Sequence, residues 1–152
     1  MNLKNVSSVD GLGMRILREL QINARSTFSE IGRKVGLSSP AVAERIYKME
    51  ESGIISGYHA DINPIVFGHN IMAFITLTTQ PGKYKEIYTF AEEQKEILEC
   101  HHVSGNESLI LKVGSGSISQ LDNMVEKLSK YGETKTWIVL SSPLQKKKVQ
   151  FI

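Results

Sequence analysis

The chain of 152 residues predicts an α+β protein: an N-terminal winged helix-turn-helix followed by a C-terminal βαββαβ ferredoxin-like domain. Three observations lead there. Apolar residues recur at helical spacing over residues 12–49, and short β-branched runs alternate with helical patterns beyond residue 70. Between them, the string "INPIVFGHN" breaks both periods with Pro64 and Gly68. The expected limits are 1–60 for the first domain, 61–70 for a hinge or linker, and 71–152 for the second.

In the first half, Leu12, Ile16, Leu17 and Leu20 share one helical face. Phe28, Ile31 and Val35 form a second such face, and Val42, Ile46 and Met49 a third. "TFSE" gives the second helix a capping box: the Thr27 hydroxyl accepts from the amide three residues on, and Glu30 reaches back to the amide of Thr27. Gly36 ends that helix because it takes the left-handed conformation without strain. The third helix is expected to start at "SSP", with Ser39 as cap and Pro40 at the first helical position, where a missing N–H costs nothing. It stops at Ser52-Gly53. "IISGYHADI" then reads as two short extended segments around Ser56-Gly57, the hairpin that makes the wing.

In the second half, "IMAFITLTT" reads as a strand and residues 83–94 as a helix using Tyr84, Ile87, Tyr88 and Ala91. Strands follow over 97–103 and 108–113, joined through Gly105-Asn106. Ser117 opens a second helix using Ile118, Leu121, Val125 and Leu128, and "TKTWIVLSS" is the fourth strand. The β-α-β-β-α-β order places both helices on one face of an antiparallel sheet. The other face then exposes Phe74, Ile110 and Trp137, which a second copy would cover. A homodimer through the C-terminal half is expected.

Composition narrows the function. No apolar run reaches the roughly 20 residues a membrane-spanning helix needs. "MNLKNVSSVDG" has no continuous apolar segment to serve as a secretory signal; a cytoplasmic protein without membrane contact is expected. Cys100 stands alone, which excludes an internal disulfide and a multi-cysteine zinc site; its alternating apolar flanks place a buried strand thiol. His101 and His102 are adjacent on a strand, face opposite sides of the sheet and cannot chelate one ion together. No Ser-His-Asp spacing, Walker loop or dinucleotide glycine pattern occurs, and "GSGS" over residues 114–117 reads as a turn. Neither an enzyme, a metal site nor a cofactor is expected. "QKKK" near the C-terminus reads as a solvated tail.

The net charge of +2 is too small to indicate nucleic acid by itself, but its distribution is informative. Between residues 21 and 49, Arg25, Arg33, Lys34, Arg45 and Lys48 outnumber Glu30 and Glu44. A local basic excess beside a tight helix-turn-helix suits double-stranded DNA. With Val42, Ile46 and Met49 turned inward, Ser38, Ser39, Pro40, Ala43, Glu44 and Tyr47 are left at the groove side. Short side chains at the helix tip allow deep entry, and Arg33, Lys34, Arg45 and Lys48 are candidates for phosphate contact.

"ILRELQINAR", "FSEIGRKVGLSSPAVAERIYKMEESGIISGYHADINP" and "ECHHVSGNESLILKV" resemble the leucine-responsive regulatory protein/AsnC (feast/famine) family of prokaryotic transcription regulators, over about residues 9–142. The resemblance implies a winged helix-turn-helix, a hinge, and a ligand-sensing C-terminal domain. It also implies dimers that associate into tetramers or octamers and bind a small ligand, usually an amino acid. His102, Ser104, Gly105, Asn106, Glu107 and Ser108 are the corresponding effector positions. Two departures stand out: Gly13 and Ser108 each occupy a position where the family usually has Asp. Glu107 or Asn106 can meet an amino-acid ammonium in place of the latter. Two alternatives share the architecture: a ligand-independent architectural DNA-binding protein, and an enzyme resembling tetrapyrrole decarboxylases.

Overall fold

A computed structural model describes residues 9–145 and 147–149. Residues 1–8, read above as too polar for a secretory signal, lie outside the described residues, as does Lys146 of the basic tail. The chain divides into two compact units, one built on the segment up to Asp61, the other on Ile62–Gln145.

The first unit consists of helices α1 (Gly11–Ile22), α2 (Phe28–Val35) and α3 (Ser39–Glu51). Each has a side-chain cap because each is preceded by a short residue with an oxygen acceptor. Asp10 accepts from the Gly13 amide at 2.8 Å, and Thr27 and Glu30 form the full capping box. Ser38, rather than Ser39, caps α3, accepting from Ala41 N. The cap falls one residue earlier than expected because Pro40 is tolerated anywhere in a first turn, where no intrahelical donor is required.

Ile16, Ile31 and Val42, all fully buried, meet at the centre with Leu17, Val35, Ile46 and Met49. Burying each such side chain contributes about 1.5–3 kcal/mol before conformational entropy is subtracted. The α2–α3 turn is tight enough that a Cβ on Gly32 would lie 2.4 Å from the carbonyl oxygen of Leu37. Gly36 follows at φ 78°, and the Gly36 and Leu37 amides both donate to Gly32 O.

The expected wing hairpin does not form as strands. After α3 the Ile55 amide donates to Met49 O, and Ile54 and Ile55 pack against the helical core. Residues 56–63 carry no strand. A lone two-stranded ribbon is marginal in water, and here the apolar pair is used by the core instead. Tyr58 is held by its hydroxyl, which donates to Glu50 at 2.8 Å; burial first, and then the Glu50 carboxylate, push the phenol up to about 12.

The second unit opens with a 3-10 turn, Pro64–Phe67, capped by Asn63. It continues as β1 (Ile71–Thr79), α4 (Tyr84–Glu93), β2 (Ile97–His102), β3 (Leu109–Ser115), α5 (Ile118–Ser129) and β4 (Gly132–Ile138). All strand pairs are antiparallel, in the order β2-β3-β1-β4, so the βαββαβ sandwich stands as expected. β4 runs two residues earlier at its start and stops at Ile138, short of the expected 142. β3 extends through Ser115, absorbing the first half of "GSGS" into the sheet, while Ser117 caps α5.

Ala73, Ile75, Leu77, Leu109, Leu111 and Val113 point to one face and bury against Ile87 and Ala91 of α4 and Leu121, Met124 and Leu128 of α5. Among the described residues of this unit, neither α4 nor α5 covers the opposite face. There Phe74 pairs with Trp137 on one side and Lys112 on the other, and the two aromatics remain 40% and 49% exposed. A register shift at Leu98 kinks the β2 edge. Among the described residues no helix is long and apolar enough to cross a membrane.

Candidate DNA interface and effector region

On α3 the inward stripe Val42, Ile46, Met49 leaves Ser39, Pro40, Glu44 and Tyr47 exposed and Ala43 half-exposed. Tyr47, at 59% exposure, is the largest side chain on this outer stripe. With Ser38 capping the tip, the leading end of α3 carries no side chain longer than proline before Val42.

The cations around α3 are differently situated. Arg33 is exposed in the last turn of α2. Lys34 bonds Glu19 of α1, and its carbonyl accepts from Arg15 Nη2 at 2.7 Å. Lys48 pairs with Glu44 one turn back at 2.6 Å, both ends about two-thirds exposed; this pair holds the Glu44 carboxyl below its usual range, first through the Lys48 hydrogen bond. Such exposed pairs are screened by solvent, contribute little and open readily.

Arg45 is tied to another helix of the same unit. Its Nη1 donates to both carboxylate oxygens of Asp10, at 2.7 and 2.9 Å, and so points toward the cap of α1. Asp10 thus serves two helices at once. Its carboxyl is held below the ordinary carboxylate range, chiefly by the Gly13 amide and then by Arg45. Asp10 was not among the predicted site residues. The available signal was an Asp three residues before Gly13, at a helix start, but nothing in the sequence pairs it with Arg45. The same geometry accounts for Gly13: a Cβ there would sit 2.7 Å from Val9 Cγ1 and 3.3 Å from Asp10 Oδ1.

The six effector candidates are spread over the end of β2 and the connection that follows it. His102 ends β2, and residues 104–107 lie in the β2–β3 connection. The Ser108 hydroxyl accepts from Thr79 N at 3.2 Å and donates to Thr79 O at 3.4 Å, so it is engaged by the end of β1. Glu107 faces Lys135 at 3.5 Å. A groove of about 520 Å³ between α4 and β2 includes His102 but none of the other five, and is lined instead by Tyr88, Ala91, Ile97, Leu98 and Cys100 among others. Its aromatic wall continues beyond the lining: Tyr84 stacks on His102 at 4.6 Å between centroids. Burial pushes the Cys100 thiol up, which suits a structural thiol better than a nucleophile. His101 lies on the uncovered face beside Glu99, which also accepts from Lys112 at 2.8 Å. Among the described residues no group of three or more His, Cys, Asp or Glu could hold a metal ion.

A capped helix-turn-helix with a short-tipped second helix, followed in the chain by an α/β sandwich with one bare sheet face, defines a two-part DNA-binding regulator. Comparison with known proteins agrees. Residues 9–50 match the AsnC-type helix-turn-helix domain and residues 72–149 the Lrp/AsnC ligand binding domain. The uncharacterised HTH-type transcriptional regulator YezC of Bacillus subtilis is 36% identical over 134 residues, covering 88% of this chain and 95% of that protein. The structure of B. subtilis LrpC superimposes with a TM-score of 0.85 at 26% identity, covering 91% of this chain and 99% of that one. A feast or famine regulatory protein from M. tuberculosis, complexed with L-methionine, gives 0.85 at 29% identity, covering 93% and 99%. The chain belongs to the Lrp/AsnC family of transcriptional regulators and is not an enzyme.

Proposed function

We propose that the chain is a cytoplasmic, sequence-specific regulator that binds double-stranded DNA as a homodimer, with α3 in the major groove. Ser38, Ser39, Pro40, Ala43, Glu44 and Tyr47 face the bases, while the exposed Arg33 reaches phosphate, as do Lys34 and Lys48 once their surface pairs open. Residues 1–60 act as the DNA-binding domain, 61–70 as the hinge, and 71–152 as the effector and assembly domain. The observation that carries this reading is the outer stripe of α3, with its blunt, serine-capped tip and labile cations alongside.

The bare Phe74–Trp137 face supports dimerisation, since covering it removes two large aromatic side chains from water. Further association of dimers into tetramers or octamers would bring β2–β3 connections of different chains together. There Asn106 and Glu107 supply the oxygens an amino-acid ammonium needs, with His102, Ser104, Gly105 and Ser108 around them. The methionine complex of the mycobacterial neighbour supports an amino acid as ligand.

Fluorescence anisotropy over a salt series tests the DNA reading: losing one phosphate contact lowers the slope of log K against log salt by about one unit. Lys48→Ala is expected to do so, and an unchanged slope removes Lys48 from the interface. A thermal-shift screen against amino acids tests the ligand. A compound held at 100 times its dissociation constant adds about 2.7 kcal/mol to stability. One observation favours a ligand-independent architectural role instead: the Ser108 hydroxyl is already engaged by the Thr79 backbone through its donor and one of its two acceptor sites. Silence across the panel would support that second reading.

A further inference from the structure

We propose that Arg45 and Asp10 form a positioning pair that sets the rotation of the recognition helix α3 about its own axis, and that Arg45 does not contact phosphate. The inference rests on the DNA-binding reading above and assigns one of its residues a different task. Arg45 lies in mid-helix at the edge of the buried stripe Val42, Ile46, Met49, and the exposed Tyr47, two residues on, lies about 160° away around the helix. Its guanidinium reaches across to α1, where one nitrogen meets both oxygens of Asp10. The far end of this tether is itself fixed, because Asp10 Oδ1 also accepts from the Gly13 amide. The anchor is thus the first turn of a helix, rather than a mobile side chain.

Three buried residues on one stripe hold α3 against the core but leave small rotations inexpensive. A tether on the flank resists them. A rotation of a few degrees displaces the outer stripe little at Ala43 but carries the end of the long Tyr47 side chain much further. Base-edge hydrogen bonds depend on such placement, whereas contacts to the uniform phosphate backbone depend on it far less. The other cations lack this arrangement: Lys48 pairs within its own turn, and Lys34 pairs with Glu19 in mid-helix.

The test uses the full chain and two duplexes of 40 base pairs: one of mixed sequence, and one selected by the wild-type protein from a random library. Arg45→Ala is expected to weaken the selected duplex about 2- to 5-fold, the range that loss of an exposed ion pair supports. Its affinity for the mixed duplex and its salt slope should stay unchanged. Asp10→Ser, which keeps a capping oxygen but is too short to reach Arg45, should reproduce the loss. The double variant should be no worse than either single one, as expected for residues acting as a unit. Thermal unfolding of each variant checks that the fold persists.

A salt slope lowered by about one in Arg45→Ala, with Asp10→Ser binding the selected duplex as well as or better than wild type, overturns the inference and restores Arg45 as a phosphate contact. Wild-type protein that bound neither duplex at low salt would instead overturn the DNA-binding reading and, with it, this one.

Discussion

Gly32→Ala is a sharp test of the turn that sets α3 against α2. In an ordinary helix interior this change is favourable by about 1 kcal/mol, because alanine has the higher helix propensity. Here the added Cβ would stand 2.4 Å from Leu37 O and 3.6 Å from Val42 Cγ2. The oxygen belongs to the backbone of the turn and cannot rotate aside, so the turn itself must open. Forced overpacking of this kind costs about 1–3 kcal/mol; with a backbone obstacle the upper part of that range applies. The net effect is a loss of about 1–2 kcal/mol. For a unit of this size each kcal/mol shifts the midpoint by about 4–8 °C. Circular dichroism should therefore show the helical transition about 5–15 °C lower, with weaker DNA binding because α3 has moved. Gly11→Ala is the internal control: nothing lies within 4 Å of its added Cβ, so it should be neutral or slightly stabilising. If Gly32→Ala melted higher than wild type, as propensity alone dictates, the close approach would be refuted.

Three further outcomes follow from the same geometry. Thr27→Ala removes one half of the capping box and should cost about 1 kcal/mol by denaturant titration; an unchanged midpoint would mean the cap is idle. Trp137→Glu places a carboxylate opposite Phe74 on the bare sheet face and should yield monomers in sedimentation velocity with the helical signal intact; a persistent dimer would move the interface elsewhere. Asp10, Glu30 and Glu44 all sit below the ordinary carboxylate range, so what they contribute is complete above about pH 4 and is lost as pH falls through their lower folded values. The unfolding midpoint should be flat from about pH 7 to 5 and drop below about pH 4. Asp10→Asn should remove part of that drop, and an identical acid limb in the variant would show that Asp10 titrates normally.

What the sequence made legible was periodicity and punctuation. The stripe Val42, Ile46, Met49 predicted which side of α3 is buried, and "TFSE" predicted the capping box of α2, since both depend on neighbours within a few residues. The alternation over β1 separated Ile75 from Phe74, and the register bears that out. What escaped depends on partners distant in sequence. The wing was expected from Ser56-Gly57, but Ile54 and Ile55 gain more by packing on the helices than a two-stranded ribbon could return. Arg45 looked like its neighbour Lys48 in the sequence; only the fold brings Asp10, 35 residues away, within reach of its guanidinium. Ser108 turns toward Thr79 while His102 turns toward Tyr84, because His102 is paired with Leu109 and Ser108, one residue earlier, falls on the other phase of the pleat.

The kink at Leu98 has a bearing on how the molecule behaves in a crowded solution. A straight outer strand offers a row of unsatisfied amides on which a neighbour's backbone can zip up, the route by which sheets grow without limit. At this border the row is interrupted within a few residues of its start, while on the opposite border Glu133 and Lys135 add charge. Stacking of one molecule's flat side on another's closes upon itself, whereas growth along a border does not. The irregularity therefore disfavours pairing of another copy's backbone along this border.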